Sequence, residues 1–141
     1  ILHYFCAAAN DGYAGRHSLR PLTEQDMRHV LKYNHIGIPT TASFDGEIRL
    51  PTLSMTVSDH KNNPFGVQWQ RYDADAPYPE LVKTVPHIAF EVDDLQAALD
   101  GQKVIIKPNS PIPGLTVAFI EVNGAPIELM EVDRSICEED I

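Results

Sequence analysis

The stretch PHIAFEVDDLQAAL, residues 86–99, carries the clearest structural signal in the chain. In its first part polar or small residues alternate with apolar ones, so His87 and Glu91 share one face of a β-strand and the apolar side chains share the other. The second part, LQAAL, follows Asp93 and Asp94, either of which can cap a helix. The stretch therefore predicts a strand followed by a short helix.

The same signal occurs once more, nearer the start of the chain. NHIGI at residues 34–38 matches PHIAF at residues 86–90, so His35 and His87 occupy equivalent positions 52 residues apart. Internal self-similarity of this kind marks a structural unit that is used twice.

A second match closes each of the two units. GVQW at residues 66–69 matches PIEL at residues 126–129, which places Gln68 and Glu128 60 residues apart. Each half of the chain thus opens with a strand that carries His and closes with a strand that carries Gln or Glu.

The rest of the pattern predicts a β-rich domain, because a period of two persists and Pro and Asn/Gly clusters mark the turns. Helices are expected at Leu95–Leu99 and from Thr23 to about Tyr33, where Thr23 and Asp26 resemble a capping box. The predicted strands are His35–Pro39, Ile48–Val57, Gly66–Tyr72, His87–Val92, Lys103–Lys107, Leu115–Val122 and Pro126–Val132. The predicted ranges are an N-terminal extension at 1–22, a single domain at 23–133 with modules at about 33–73 and 85–133, and an acidic C-terminal tail at 134–141.

The net charge and the hydropathy of the chain limit the kinds of partner that it is expected to bind. Twenty acidic against eleven basic residues give a formal net charge of −9 and no basic stripe, which disfavours nucleic acid. No apolar run approaches the roughly 20 residues that cross a bilayer, so no membrane partner is expected. The cytoplasm is the default localisation; residues 1–9 (ILHYFCAAA) are also compatible with the end of an apolar leader or a processed N-terminus.

The four repeated polar residues form a candidate metal site. Strand alternation places all four on the face opposite the apolar sets. Taken singly, each is compatible with an ordinary core or surface position, but their recurrence on the same face of two halves favours a joint role. Two imidazoles, a carboxamide and a carboxylate suit one divalent Zn, Mn, Fe, Co or Ni ion and offer too few oxygens for calcium. The predicted ligands are His35, Gln68, His87 and Glu128.

These segments resemble the vicinal oxygen chelate superfamily, which includes glyoxalase I, methylmalonyl-CoA epimerase and the extradiol dioxygenases. The resemblance runs from about Tyr33 to Asp133 and is carried by NHIGIP, PHIAFEVDDLQAAL and NGAPIELMEV. It implies an α+β fold in which two βαβββ modules form an open, U-shaped eight-stranded mixed sheet, a cup with the metal inside. It also implies the same four ligands, in a set similar to that of the epimerase branch.

One part of the sequence departs from this family pattern. Between His35 and Gln68, where the family carries an amphipathic helix, Pro39, Gly46 and Pro51 accompany strand-like residues. The first-module helix is therefore expected to be missing or reduced, leaving the apolar backs of the first-half strands to be covered by the N-terminal helix or a second subunit. Open sheet edges often pair between chains, so a homodimer is expected.

The resemblance implies metal-dependent chemistry on a small-molecule substrate. The leading expectation is an isomerase, epimerase or lyase that transfers a proton next to a carbonyl, with Glu128 or Glu91 as the base. The alternative is an Fe(II) extradiol-type dioxygenase that uses His35, His87 and Glu128 alone. A third possibility is a module that binds a small ligand without chemistry. The remaining histidines have no counterpart in the repeat and are expected at the surface; they are His3, His17, His29 and His60.

Overall fold

A computed structural model describes residues 31–141, which form one eight-stranded mixed sheet that curls into an open cup. The strands are β1 (Lys32–Pro39), β2 (Ile48–Leu50), β3 (Met55–Val57), β4 (Val67–Tyr72), β5 (His87–Glu91), β6 (Val104–Ile112), β7 (Leu115–Val122) and β8 (Ala125–Val132). The helices are α1 (Glu80–Thr84) and α2 (Leu95–Leu99), with 3₁₀ turns at Pro51–Leu53 and His60–Asn62.

The strand order reflects the internal repeat. Across the sheet it reads β2-β3-β4-β1-β5-β8-β7-β6, with β1 and β5 antiparallel at the centre. Each of these two strands pairs in parallel with the last strand of its own half, β4 or β8, and the other pairs are antiparallel. The predicted fold class is therefore confirmed: two modules of the same topology form an open eight-stranded sheet.

Most strand predictions agree with the structure to within a few residues, and β7 agrees at both ends. The predicted strand Ile48–Val57 is wrong in its middle, because Pro51 opens a 3₁₀ turn that separates β2 from β3. Proline has no N–H to donate to a strand ladder, so a break at this position has a physical cause. The strand β6 extends five residues beyond its predicted end, and α1 was not predicted.

The second half has a conventional two-layer core. The Asp94 side chain accepts a hydrogen bond of 2.9 Å from the Ala97 N–H, and so caps α2 at its start. The helix then buries Leu95 and Leu99 against the outer face of the sheet. Apolar side chains from α2, from the outer face of β7 and β8 and from the residue after β5 form the cluster of Val92, Leu95, Leu99, Ala118, Ile120 and Leu129.

The first half lacks the equivalent helix, as expected. Only bends and turns connect β1 to β2 across residues 40–47. The apolar back of this half is correspondingly open in the described part of the chain, where Trp69 on β4 is 42% exposed and Ile88, on the adjoining strand β5, is 38% exposed. The expected cover by a second subunit, and with it the homodimer, stays a prediction.

The predicted N-terminal helix is wrong at its end, since Lys32 and Tyr33 already belong to β1. Residues 1–30, with the predicted extension and the rest of that helix, lie outside the described residues. Within residues 31–141, no helix combines the length and the apolar character that crossing a membrane requires.

The C-terminal tail lies across the opening of the cup. Its acidic residues Glu138, Glu139 and Asp140 are exposed, in line with a solvated tail. The side chain of Ile141, in contrast, packs against the inner-face cluster that includes Leu115 and Met130.

Removing the α2 cap should destabilise the second half. We expect Asp94→Ala to lower the free energy of unfolding by about 1 kcal/mol, because the Ala97 N–H loses its partner. Urea unfolding followed by circular dichroism measures this change. Asp93→Ala is the matched control, since the exposed Asp93 makes no side-chain hydrogen bond to the helix; equal losses in both variants would contradict the assignment of the cap.

Candidate metal centre

The pairing of β1 with β5 decides the positions of the two histidines. In this antiparallel pair His35 lies opposite Ala89, and Gly37 lies opposite His87. A two-fold rotation that exchanges β1 and β5 therefore places His35 on the position of His87 and Gly37 on that of Ala89. Both imidazoles project from the inner face of the sheet, and a small residue stands beside each of them.

The strands that flank this central pair, β4 and β8, follow the same symmetry. Glu128 on β8 lies next to Ala89, and Gln68 on β4 lies next to Gly37. The residue pairs matched in the sequence, His35 with His87 and Gln68 with Glu128, thus occupy equivalent positions in the two halves of the sheet. The structure places all four predicted ligands on the inner face of the cup.

Three of the four come together at one point. The candidate ligand atoms of His35, His87 and Glu128 all lie within 4.8 Å of one another. Glu128 Oε2 is 3.0 Å from His87 Nε2 and 3.5 Å from His35 Nε2. Ligand atoms that each lie about 2.0–2.2 Å from a shared ion have separations of this size, so the three residues could bind a single metal ion.

The group is buried, and three of its four imidazole nitrogens lack ordinary partners among residues 31–141. His35 is 5% exposed, His87 1% and Glu128 9%. The three nitrogens without a hydrogen bond of good geometry are both ring nitrogens of His87 and Nε2 of His35. Buried polar atoms without a partner are rare because their desolvation costs free energy, and coordination of a cation would supply that partner. The donor set therefore fits a metal ion.

A β-bulge orients the first of the two imidazoles. The register of β1 on β5 shifts between Tyr33 and His35, which leaves Asn34 as the extra residue. Asn34 lines the cavity inside the cup, and its Oδ1 lies 2.7 Å from His35 Nδ1. Because an amide oxygen only accepts, this contact places a proton on His35 Nδ1, and Nε2 is the nitrogen that faces Glu128.

The two imidazoles also control the charge of Glu128. Burial raises the pKa of this carboxyl, but the close approach of His35 and His87 outweighs it and lowers the pKa from 4.5 to about 2. The carboxylate is therefore ionised at neutral pH, the form in which it can bind a cation.

Gly37 makes room for the ring of His87. A Cβ atom at this position would lie 2.1, 2.6 and 2.7 Å from three atoms of that ring. No side chain larger than hydrogen fits without displacing the imidazole. The glycine in NHIGI is thus a requirement of the site rather than of the strand backbone.

Gln68 occupies the equivalent position to Glu128 but is differently engaged. Its Oε1 accepts a hydrogen bond of 2.7 Å from Gln70 Nε2, and Gln70 Oε1 accepts one of 2.8 Å from the Tyr72 hydroxyl. The three side chains share one face of β4 and form a hydrogen-bonded chain. Gln68 lines the cavity, with its carbonyl oxygen turned to Gln70.

Glu91 lies apart from this group. Although it follows His87 on the same strand face, its carboxylate accepts two hydrogen bonds from Arg134, of 2.5 and 3.1 Å. Hydrogen bonding to Arg134 lowers the pKa of Glu91. The structure therefore does not bring this predicted base to the predicted metal ligands.

His60 is a site residue that the sequence pattern missed. Its ring centroid lies 5.0 Å from that of His35, and it lines the cavity, so the expectation of a surface position is wrong for this residue. Burial, followed by the neighbouring His35, lowers the pKa of His60. His60 belongs to a 3₁₀ turn and has no counterpart in the repeat, so no sequence signal pointed to it. His3, His17 and His29 lie outside the described residues.

Two of the three clustered residues, His35 and Glu128, line a cavity of about 500 Å³, and His87 is buried beside them. Small-molecule sites occupy about 300–1,000 Å³, so this cavity has the size of one. Tyr72 also lines it, and burial together with Glu128 raises the pKa of its hydroxyl, which stays protonated at neutral pH. The cup thus combines a candidate metal site with space for a small molecule.

Comparison with known proteins adds little to this description. No protein-family model matches the chain, and no curated protein matches its sequence significantly. Among solved structures, the crystal structure of a hypothetical protein from Bacillus halodurans C-125 aligns over 78% of this chain and 99% of that chain, with 17% identity and a TM-score of 0.48. A similarity at this level carries no argument about function.

Substitution of Gly37 tests the geometry of the site. We expect Gly37→Ala to weaken binding of Co²⁺ by about 10- to 100-fold, the range for residues that position a ligand, because the new methyl group displaces the His87 ring. Competition with a chelator measures the affinity.

The same substitution in a His87→Ala background is the control. With the ring absent, Gly37→Ala should cause no further loss of affinity. An equal loss in both backgrounds would show that Gly37 acts through the fold and not through His87.

Proposed function

We propose that this chain is a metal-dependent enzyme of the glyoxalase-like, vicinal oxygen chelate type. In this proposal one divalent ion is held by His35, His87 and Glu128, and the reaction is that of an isomerase, epimerase or lyase which moves a proton next to a carbonyl. The observation that carries the proposal is the buried trio of donors, within 4.8 Å of one another, two of which, His35 and Glu128, line a cavity of about 500 Å³.

The donor set supports a divalent transition metal. Two imidazoles and one carboxylate suit Zn, Mn, Fe, Co or Ni and leave coordination positions for substrate oxygens. When bound, such an ion supplies Lewis acidity, which makes a C–H bond next to a coordinated carbonyl more acidic. The protein contributes a buried set of ligands, a fixed orientation of His35 through Asn34, and a carboxylate that is ionised at neutral pH.

Glu128 is the proposed proton acceptor. It is the carboxylate at the floor of the cavity, and acceptance of a proton requires one of its oxygens to turn from the imidazoles towards the substrate. Glu91 is bound to Arg134 and is not proposed for this role. His60 lines the same cavity beside His35 and is the second candidate for carrying the proton.

A dioxygenase is the second candidate function, and the position of Gln68 favours it. Because Gln68 Oε1 accepts a hydrogen bond from Gln70, the group of His, Cys, Asp and Glu ligands that residues 31–141 provide consists of two histidines and one carboxylate. This set is typical of non-haem Fe(II) oxygenases. Oxygen uptake by Fe(II)-loaded protein with a catechol would support it.

Deuterium exchange tests the leading proposal. Protein saturated with Zn²⁺, Mn²⁺ or Co²⁺ is incubated in D₂O with 2-hydroxyacetophenone and related α-hydroxyketones, and loss of the α-proton signal is followed by NMR. We expect metal-dependent exchange that Glu128→Gln slows by about 100-fold or more at saturating metal, as expected for loss of a general base.

Glu138→Gln is the matched control, since Glu138 is exposed on the tail and does not line the cavity. It should retain the rate of the unmodified chain. Full exchange by metal-saturated Glu128→Gln would remove Glu128 from the role of base. Absence of exchange in the whole panel, with oxygen uptake on catechol, would replace the isomerase by the dioxygenase.

A further inference from the structure

The walls of the cavity are apolar on both sides. The first half contributes inward-facing side chains of β2 and β3 and of the turn between them, while the second half contributes β6, β7 and β8. The residues concerned are Ile48, Leu50, Leu53, Met55 and Val57 on one wall, and Ile106, Ile112, Leu115, Val117, Phe119 and Met130 on the other. A bound molecule would therefore contact hydrocarbon on two opposite sides.

The other polar side chains that line the cavity are mostly neutral. Gln68, Gln70, Tyr72, Tyr78 and Asn109 line the cavity as amides and phenols. These side chains can exchange hydrogen bonds with hydroxyl or carbonyl groups, but they cannot neutralise a charged substituent.

No lysine or arginine within residues 31–141 lines the cavity. All three arginines in this part of the chain are engaged in two-point ion pairs elsewhere: Arg49 with Asp73, Arg71 with Glu47, and Arg134 with Glu91. Strand alternation explains this for β2, where Ile48 and Leu50 line the cavity and Arg49 lies between them.

The rim of the cavity adds negative charge. Glu139 and Asp140 on the tail line it, and both are exposed. The nearest lysine on this side, Lys61, donates a hydrogen bond to the Asp140 carbonyl oxygen and lies 3.8 Å from the Asp140 carboxylate. Within residues 31–141, an approaching anion would thus meet two carboxylates and no lysine or arginine that is free of an acidic partner.

From these observations we infer that the substrate is an uncharged, largely apolar molecule, whose two neighbouring oxygens reach the metal and whose remaining body carries no phosphate or carboxylate. The inference rests on the proposed function for the two oxygens, and on the cavity walls for the rest of the molecule. The physical reason is that an anionic substituent between these walls would lose its hydration, while no lysine or arginine of residues 31–141 lines the cavity to pair with it. Thioesters of coenzyme A and glutathione adducts, which carry several charges, do not match this cavity.

A pair of probes that differ only in charge tests the inference. The full chain is loaded with Co²⁺, and binding of 4-propylcatechol is compared with that of 3-(3,4-dihydroxyphenyl)propanoate. Both probes offer the same two adjacent oxygens and a three-carbon substituent, but only the second ends in a carboxylate. Calorimetry and the visible spectrum of Co²⁺ report the two affinities. We expect the uncharged probe to bind at least about tenfold more tightly.

A charge placed on the cavity rim provides the matched control. Thr52 is exposed and lines the cavity, so Thr52→Lys adds a cation without filling the core, and Thr52→Gln adds similar length without charge. Thr52→Lys should raise the affinity for the carboxylate probe several-fold, and Thr52→Gln should not.

The outcomes separate the inference from the function on which it rests. Failure of Co²⁺ to bind would overturn both. Binding of Co²⁺ with equal or tighter affinity for the carboxylate probe would overturn the inference alone and leave the metal site standing. Preference for the propyl probe, reduced by Thr52→Lys and unchanged in Thr52→Gln, would support the inference.

Discussion

The antiparallel contact between β1 and β5 is the constraint on which the rest of the site depends. A register in which His35 faces Ala89 and Gly37 faces His87 brings two imidazoles to the same face of the sheet. A shift by one residue would turn one of the two to the opposite face. The site is therefore a property of how the two halves join, and neither half would form it alone.

The floor of the cup is close-packed because of this contact. The ring of His87 occupies the space that a Cβ of Gly37 would take, and the adjacent Ala89 is fully buried. Small residues beside the imidazoles leave room for the rings, and Glu128 Oε2 lies 3.5 Å from His35 Nε2 and 3.0 Å from His87 Nε2. The cost is a buried set of polar atoms without ordinary hydrogen bonds, which a bound cation would relieve.

Much of the fold could be predicted, because the internal repeat and the two-residue alternation of apolar side chains are visible in the amino-acid sequence. NHIGI and PHIAF located the central strands, and Pro39, Gly46 and Pro51 indicated that the first module has no helix. The unpredicted features depend on contacts between distant residues. Glu91 follows the pattern of an inner-face base, yet Arg134, 43 residues away, binds its carboxylate.

The details of the site were hidden because they depend on strand pairing and side-chain contacts that the sequence pattern does not encode. The bulge that turns Asn34 towards His35 is a matter of pairing between strands, and no periodicity shows it. His60 reaches the cavity through a turn outside the repeat. Gln68 matched Glu128 in position, but its amide bonds to a neighbour two residues away on its own strand, so equivalent positions do not have equivalent contacts.

The central claim is that three residues from the two halves hold one metal ion, and anomalous diffraction from crystals grown with Co²⁺ or Zn²⁺ tests it most directly. Our account predicts a single strong anomalous peak at about 2.0–2.2 Å from His35 Nε2, a ring nitrogen of His87 and a Glu128 oxygen. A metal-soaked crystal with no peak between these three side chains, or with its main peak at another site, would contradict the account.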